Sequence, residues 1–230
     1  PQLSEALDSD PRLSVGIGVM AYTGWFKNDT KKQEIYRQYR DKLVRFIRHL
    51  LARGYRVRLL IGDQEDCLAV DDVLHTLARA GEDTSRIVYD PADSLSDLKH
   101  QIAATDLVVA SRFHNLIAAL SLERPVISLA YAAKNDALLE DMGLGAYCNH
   151  VETFQVEELI SQFDRLAGQL RATRAAIRWR LSRYHDRLAE QERRLLARVL
   201  AEPRRKPAHA AGRDYPADRK AYRFFRRSSR

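Results

Sequence analysis

The amino-acid sequence predicts an α/β domain in which helices cover both faces of a parallel β-sheet. Short apolar segments alternate along the chain with amphipathic segments of helical spacing, and polar or glycine-containing loops separate them. Because parallel strands need long connections, which are usually helices, this alternation indicates a parallel sheet. The chain has 230 residues, of which 45% are hydrophobic, so it is long enough to bury a sizeable core.

Each predicted element has its own local signal. The first strand is apolar and contains two glycines, as expected of a strand buried on both faces. Gly54 ends the helix that follows, and Ser94 with Asp97 resembles a capping box at the start of a later helix. The predicted strands are Leu13–Met20, Arg56–Ile61, Arg86–Tyr89, Leu107–Ala110 and Pro125–Leu129. The predicted helices are Lys32–Arg53, Ala69–Arg79, Ser94–Ala104, Asn115–Leu122 and Asn135–Met142.

Two further helices are predicted after the sheet, over Val156–Leu170 and Thr173–Leu200. The second is long and rich in arginine, and we expect its apolar stripe to pack against a neighbouring domain or protomer. The stripe consists of Ile177, Leu181, Tyr184, Leu188, Leu195 and Val199. The predicted organisation is a linker over residues 1–12, the α/β domain over 13–165, a helical extension over 166–202 and a disordered basic tail over 203–230.

The positive charge of the chain is concentrated at its C-terminus. Ten of the 38 Lys and Arg residues and two of the 31 Asp and Glu residues follow Pro203, which leaves 28 basic and 29 acidic residues in the body. A nucleic-acid-binding domain would spread basic charge over a folded face, so we expect no nucleic-acid partner. The tail mixes basic and aromatic residues, and both contact with anionic lipid and a solvated extension without function stay open.

The remaining composition favours a cytoplasmic protein without a metal centre. Cys67 and Cys148 are too few for a disulfide framework and lack the spacing of metal ligands. The acidic segment Glu65–Asp72 lacks the spacing of a calcium loop and is interpreted as a solvated helix start. We find neither a long uncharged apolar segment nor the pattern of a signal peptide. We therefore expect a cytoplasmic location, peripheral at the inner face of the plasma membrane if the tail binds lipid.

Polar side chains gather where the predicted strands end, which is where open parallel sheets bind ligands. Arg112 and Lys134 bring positive charge, His114 can exchange a proton near neutrality, and a helix N-terminus attracts anions. This combination suits a small ligand that carries both phosphate and carboxylate. The candidate residues are His114, Arg112 and Lys134 for catalysis and Ser111, Asn115, Tyr131, Trp25 and Asp63 for substrate binding.

Several candidates have an ordinary structural alternative. His114, predicted to lie just ahead of the helix, could cap it or be solvated, and Arg112 could pair with a structural carboxylate. Lys134 could be a solvated side chain, Trp25 a core aromatic and Asp63 the cap of a turn.

The segment Asp106–Gly143, DLVVASRFHNLIAALSLERPVISLAYAAKNDALLEDMG, resembles the most diagnostic region of the polysaccharide pyruvyl transferase family. That region has an apolar strand, a small residue, Arg, a large apolar residue and His before an apolar helix. A strand led by Pro then ends in Tyr, Lys follows three residues later, and an apolar residue with Gly closes the segment. The matching positions are Ser111, Arg112, Phe113, His114, Pro125, Tyr131, Lys134, Met142 and Gly143. The resemblance covers about residues 13–165.

The resemblance implies a fold, a reaction and residue roles. Members resemble two-domain glycosyltransferases of the GT-B type, so the chain is expected to be a Rossmann-like C-terminal half without its acceptor-binding domain. The implied reaction transfers the pyruvyl group of phosphoenolpyruvate to two hydroxyls of a sugar, in an exopolysaccharide or a cell-surface glycan precursor that is often lipid-linked. It forms a cyclic ketal, releases phosphate and uses no cofactor. His114 is implied as the acid and base, Arg112 with the helix start as the phosphate contact, and Lys134 as a contact to carboxylate or phosphate.

Two other functions stay open at this point. A sugar-nucleotide glycosyltransferase of the same architecture would also bind a phosphorylated donor, although no clear Glu pair follows the fourth or fifth strand to hold ribose and base. A non-catalytic partner or fragment would account for the absent first domain.

Overall fold

In a computed structural model of the protein, which describes residues 13–24 and 28–201, six strands form one parallel sheet. Val15 at the centre of the sheet pairs with Val57 on one side and Leu107 on the other. The spatial order β3-β2-β1-β4-β5-β6 is that of Rossmann-like folds. The strands are β1 (Ser14–Gly18), β2 (Arg56–Leu60), β3 (Ile87–Tyr89), β4 (Leu107–Ala110), β5 (Val126–Ala130) and β6 (Cys148–His150).

Helices cover both faces of this sheet. The described helices are α1 (Asp29–Ala52), α2 (Cys67–Arg79), α3 (Leu95–Ala103), α4 (Phe113–Ser121), α5 (Ala133–Asp141), α6 (Val156–Ala167) and α7 (Leu170–Ala201). Helix α1 packs against α2 and α6, whereas α3 packs against α4. Phe46 of α1 meets Phe163 of α6 edge-to-face, with ring centroids 5.8 Å apart. The predicted fold class is confirmed.

The structure differs from the sequence prediction at one strand and at several helix starts, since α1 and α7 begin three residues and α2 two residues earlier than predicted. Strand β6 was missed because it has only three residues, Cys148–His150, and lies at the edge of the sheet without an apolar run. Helix α4 begins at Phe113 and α5 at Ala133, each two residues earlier than predicted. Neither start carries a Ser, Thr, Asp or Asn cap, so the usual signal of a helix start is missing. His114 therefore lies in the first turn of α4, and the expectation that it precedes the helix was wrong.

The first half of α7 contacts the opposite edge of the sheet, where the strands begin. Arg174 donates hydrogen bonds to the backbone oxygen of Asp106 at 2.9 Å and to its carboxylate at 3.0 Å. The same carboxylate accepts the N–H of Ser14 at 3.0 Å, so it joins the starts of β1 and β4. Ile177 is fully buried beside these contacts. This arrangement stabilises one edge of the sheet and leaves the carboxyl edge to the candidate site.

The chain forms two compact units, the second of which starts at Asp186. In the first unit, the apolar stripe of α7 is buried at Ile177 and partly buried at Leu181. In the second unit, Leu188, Leu195 and Val199 are each more than half exposed, and their packing against a domain or protomer stays a prediction. None of the helices within 13–24 and 28–201 has the length and hydrophobicity of a transmembrane segment. The predicted linker and tail lie outside the described residues, and the domain boundaries stay predictions.

Candidate active site

The strand order reverses between β1 and β4, and ligands of open α/β sheets bind beyond the carboxyl ends at such a point. Gly18 ends β1, and Gly62 follows β2 by two residues. Both glycines face the amide of Asn115 in the first turn of α4. An alanine Cβ at Gly18 would lie 2.6 Å from Asn115 Nδ2, and one at Gly62 would lie 2.7 Å from Asn115 Oδ1. The two glycines therefore let α4 approach the ends of β1 and β2.

The side chains of Ser111 and Asn115 lie inside the fold and not on its rim, because both residues are fully buried. Neither amide atom of Asn115 has a hydrogen-bond partner in the described part of the chain. The hydroxyl of Ser111 lies 3.3 Å from the hydroxyl of Tyr39, and its carbonyl accepts a bond from Asn135 Nδ2 at 3.1 Å. Burial raises the pKa of Tyr39 to about 12, so this hydroxyl stays protonated at neutral pH. That Ser111 and Asn115 bind substrate stays a prediction, and the structure places both side chains inside the fold.

Arg112 is held by a carboxylate from another loop. Its Nε and Nη2 donate to the two oxygens of Asp66 at 2.9 and 2.7 Å. Asp66 is completely buried and also accepts the N–H of Ala21 at 3.0 Å, whereas the Arg112 side chain is 22% exposed. Burial opposes the charge of Arg112, but the bond and charge of Asp66 outweigh it and raise its pKa. The ion pair with a structural carboxylate, which was the alternative given for Arg112, is therefore present. It fixes the orientation of the guanidinium, and Nη1 donates no hydrogen bond to Asp66.

Helices α4 and α5 both begin at this edge without a side-chain cap in the described part of the chain. Arg112 and Ala132 occupy their N-cap positions and make no capping bond. Helices α1 and α3, by contrast, are capped by Asn28 and Ser94. At the N-termini of α4 and α5, where the helix dipole is positive, the first backbone N–H groups therefore donate to no capping side chain.

The predicted cations and imidazole stand at these two helix starts. Lys134 lies in the first turn of α5, and its Nζ is 4.7 Å from the centre of the Phe113 ring in the first turn of α4. A lysine at a helix N-terminus adds positive charge where the helix dipole is already positive. His114 is exposed beside Phe113. Arg112, His114 and Lys134 are thus brought to one rim of the sheet, as the sequence predicted, although Asp66 offsets the charge of Arg112 and Asp136 lies in the same helical turn as Lys134.

Tyr131 is half-buried directly after β5. Its ring centroid lies 5.8 Å from that of Tyr22, which comes from the loop after β1. The Tyr22 hydroxyl donates to Glu152 at 2.6 Å, and burial together with this carboxylate raises the pKa of Tyr22 far above its usual value. The tyrosine pair therefore connects the loops that follow β1, β5 and β6 around the rim.

Asp63 follows β2 and caps a short 3₁₀ turn, since its Oδ1 accepts the N–H of Glu65 at 3.2 Å. The same residue lines an open pocket of about 370 Å³ together with His114. Trp25, the remaining candidate, lies outside the described residues. Within residues 13–24 and 28–201, no three His, Cys, Asp or Glu side chains are grouped as a metal site.

The sequence of the chain matches the profile of a known family, described as polysaccharide pyruvyl transferase, over residues 4–132. This range is more than half of the chain and includes β1 to β5 with Ser111, Arg112 and His114. The chain belongs to the polysaccharide pyruvyl transferase family. The matched range ends two residues before Lys134, so the place of Lys134 in the family pattern stays a prediction.

A solved structure with a similar fold is a mutant O-GlcNAc transferase from Thermobaculum terrenum. The similarity has a TM-score of 0.52 at 19% sequence identity and covers 75% of this chain. It covers 32% of the other protein, so the chain spans about a third of the length of that glycosyltransferase. At this identity the comparison supports a glycosyltransferase-like fold for the family member. A comparison with curated proteins found no match.

Sequence reasoning missed the residue that holds Arg112. Asp66 belongs to the acidic segment Glu65–Asp72, which was interpreted as a solvated helix start, and that interpretation is wrong for Asp66 because this residue is fully buried. Its neighbour Glu65 is exposed, so composition alone could not separate them. One signal could have suggested the pair: a carboxylate that follows one strand and an arginine that follows another, since both then lie at the same edge of the sheet.

Cys148 in β6 is expected to be an unreactive thiol. Burial, followed by the charge and hydrogen bond of Asp136, raises its pKa to about 12. Because alkylation needs the thiolate, a Cys67→Ala variant should react with iodoacetamide at pH 8 about 10³-fold more slowly in its folded state than in urea. Mass spectrometry of the alkylated protein against time measures both rates. Equal rates for the folded and unfolded protein would contradict the prediction.

Proposed function

We propose that this protein transfers the pyruvyl group of phosphoenolpyruvate to two hydroxyls of a sugar in a surface glycan or its precursor, and forms a pyruvate ketal. The observation that supports the proposal is the rim, where two cationic side chains, Arg112 and Lys134, and two uncapped helix starts stand beside an exposed His114. Membership of the pyruvyl transferase family points to the same reaction.

Phosphoenolpyruvate carries a phosphate and a carboxylate three bonds apart, so it needs two neighbouring positive sites. The start of α4 offers backbone N–H groups to the phosphate, and the guanidinium edge of Arg112 that Asp66 does not use can add a charged hydrogen bond. Lys134 adds a point charge from α5. These contacts stabilise the charge that collects on the phosphate as it departs.

His114 is suited to move the protons of the reaction. The methylene carbon of phosphoenolpyruvate gains a proton and becomes the methyl group, while the first sugar oxygen bonds to C2. The bond between C2 and the phosphate oxygen then breaks, and the second sugar oxygen takes that place on C2. One hydroxyl proton ends on the methyl carbon and the other on phosphate, so atoms balance without an oxidant or a cofactor. An exposed imidazole next to the phosphate-binding helix start can carry these protons.

Replacing Lys134 by Ala is expected to weaken phosphoenolpyruvate binding about tenfold, because one charged contact is lost. Isothermal titration of the protein with phosphoenolpyruvate measures the dissociation constant, and Lys99→Ala on α3 serves as the control. UDP-N-acetylglucosamine is titrated in parallel. Binding of the nucleotide sugar in place of phosphoenolpyruvate would contradict the proposal and favour a glycosyltransferase.

Replacing His114 by Ala in the full-length enzyme should lower ketal formation about 10²- to 10⁴-fold, the usual contribution of a general acid or base. Phosphoenolpyruvate affinity should change little, since His114 is assigned to proton transfer and not to binding. The matched control is His150→Ala, which removes another exposed histidine, at the carboxyl end of strand β6. Phosphate release in the presence of the acceptor glycan is the readout. Full turnover in the His114 variant would exclude the catalytic role.

A further inference from the structure

The pocket of about 370 Å³ beside His114 has a character different from that of the rim. It lies between the loop after β2 and the loop after β3, and its volume is within the range of small-molecule sites. None of its lining residues is a lysine or an arginine, whereas two are aspartates, Asp63 and Asp93. An anion such as phosphoenolpyruvate is therefore disfavoured in the pocket, and a neutral ligand that donates hydrogen bonds is favoured.

The hydrogen bonds of the pocket leave acceptors for such a ligand. In each aspartate, Oδ1 accepts a hydrogen bond from the protein itself. The donor to Asp63 is the backbone N–H of Glu65, and the donor to Asp93 is the side-chain amide of Gln64 at 3.4 Å. Oδ2 of each carboxylate accepts no hydrogen bond from the part of the chain that the structure describes. A carboxylate oxygen in this state is a strong acceptor for the hydroxyls of a polyol.

The two loops are fixed relative to each other, so the pocket is formed in advance. Gln64 donates to the backbone oxygen of Ala92 at 2.9 Å and thereby ties the loop after β2 to the loop after β3. Ser94 accepts the N–H of Asp97 at 3.1 Å and donates to its carboxylate at 2.7 Å, which anchors the second loop to α3. Preorganised contacts of this kind reduce the entropy that binding costs.

One wall of the pocket is apolar. Leu95 is 55% exposed although it lies beside the pocket, and Ala92 and Leu98 continue the wall behind it. A lining that combines two carboxylates with aliphatic side chains suits a pyranose ring, which has hydroxyls at its edge and C–H groups on its face. His114, which belongs to the rim, also lines the pocket.

We infer that this pocket binds the acceptor sugar, as a neutral pyranose whose hydroxyls contact Asp63 and Asp93. The inference rests on the proposed function and extends it, because it places an acceptor subsite in this domain next to the donor site. His114 then stands between the two substrates, where a proton must leave a sugar hydroxyl and reach the carbon of phosphoenolpyruvate.

The test measures binding of two neutral probes, methyl β-D-galactopyranoside and methyl β-D-glucopyranoside, by saturation-transfer NMR at saturating phosphoenolpyruvate. At least one probe should bind the wild-type protein. Asp93→Asn should weaken that binding about tenfold, because an amide is a poorer acceptor than a carboxylate. Leu95→Ser should also weaken it through loss of the apolar wall, and its exposure makes misfolding no concern. Glu65→Gln, an exposed acid of the same segment outside the pocket, is the control.

The outcomes separate this inference from the proposed function. Phosphoenolpyruvate titration of each variant should give the wild-type affinity, because neither Asp93 nor Leu95 belongs to the rim. If phosphoenolpyruvate binds but neither glycoside does, the acceptor subsite is refuted while the proposed function stands. If both pocket variants bind a glycoside as the wild type does, the subsite is also refuted. If phosphoenolpyruvate itself does not bind, the proposed function fails and the subsite fails with it.

Discussion

Replacing Asp66 by Ala is expected to lower the free energy of unfolding by about 3 kcal/mol. The substitution removes a fully buried carboxylate that accepts two bonds from Arg112 and one from the N–H of Ala21. The guanidinium of Arg112 would keep its charge in a partly buried position without a counterion, and the backbone N–H would lose its partner. Because Arg112 is 22% exposed and can reach some solvent, the expected loss is at the low end of the range for buried pairs.

Urea unfolding followed by circular dichroism measures this change, and phosphoenolpyruvate titration measures its effect on the rim. We expect affinity for phosphoenolpyruvate to fall about tenfold, since Arg112 is no longer held in one orientation. Glu65→Ala is the matched control, because this neighbouring acid is exposed and its loss should change stability by less than about 0.5 kcal/mol. Equal stability of the Asp66 variant and the control would contradict the role assigned to the ion pair.

Replacing Gly18 by Ala is expected to cost about 3 kcal/mol of stability and to disturb the site directly. The new Cβ would lie 2.5 Å from the Cβ and 3.1 Å from the Cα of Ala110 on the neighbouring strand β4. It would also lie 2.6 Å from Nδ2 of Asn115. Because Ala110 has no flexible side chain that could turn away, β4 or the start of α4 has to move. The shift reaches Arg112, which lies two residues after Ala110.

The control for this substitution is Gly168→Ala. Its Cβ would have its nearest contact at 3.5 Å, and its backbone has ordinary helical angles of φ −71° and ψ −8°. We expect this variant to be as stable as the wild type or slightly more stable, because alanine reduces the entropy of the unfolded chain. Thermal unfolding of both variants, combined with phosphoenolpyruvate titration, compares them. A Gly18 variant as stable as the Gly168 variant would show that β1 and α4 are less tightly packed than their distances indicate.

The fold could be predicted from sequence where local patterns are strong. Strand β4 was predicted with the bounds that the structure has, because four apolar residues between polar ones leave little choice of register. Strand β6 and the starts of α4 and α5 were not, because a three-residue edge strand and an uncapped helix carry no local signal. The start of α1 was also predicted three residues late although Asn28 caps it, so errors at helix starts are not confined to the candidate site.

The sequence by itself determined the α/β class and the rim that carries Arg112, His114 and Lys134. Residues within a few positions of the end of a parallel strand lie near the carboxyl edge of the sheet, and these three residues follow β4 or β5 by two to four positions. Only the tertiary structure decided that Ser111 and Asn115 are buried, that Asp66 holds Arg112, and that Gln64 joins two loops to form the pocket beside His114. These contacts join residues up to 46 positions apart, and they depend on how whole helices and loops pack, which no local periodicity encodes.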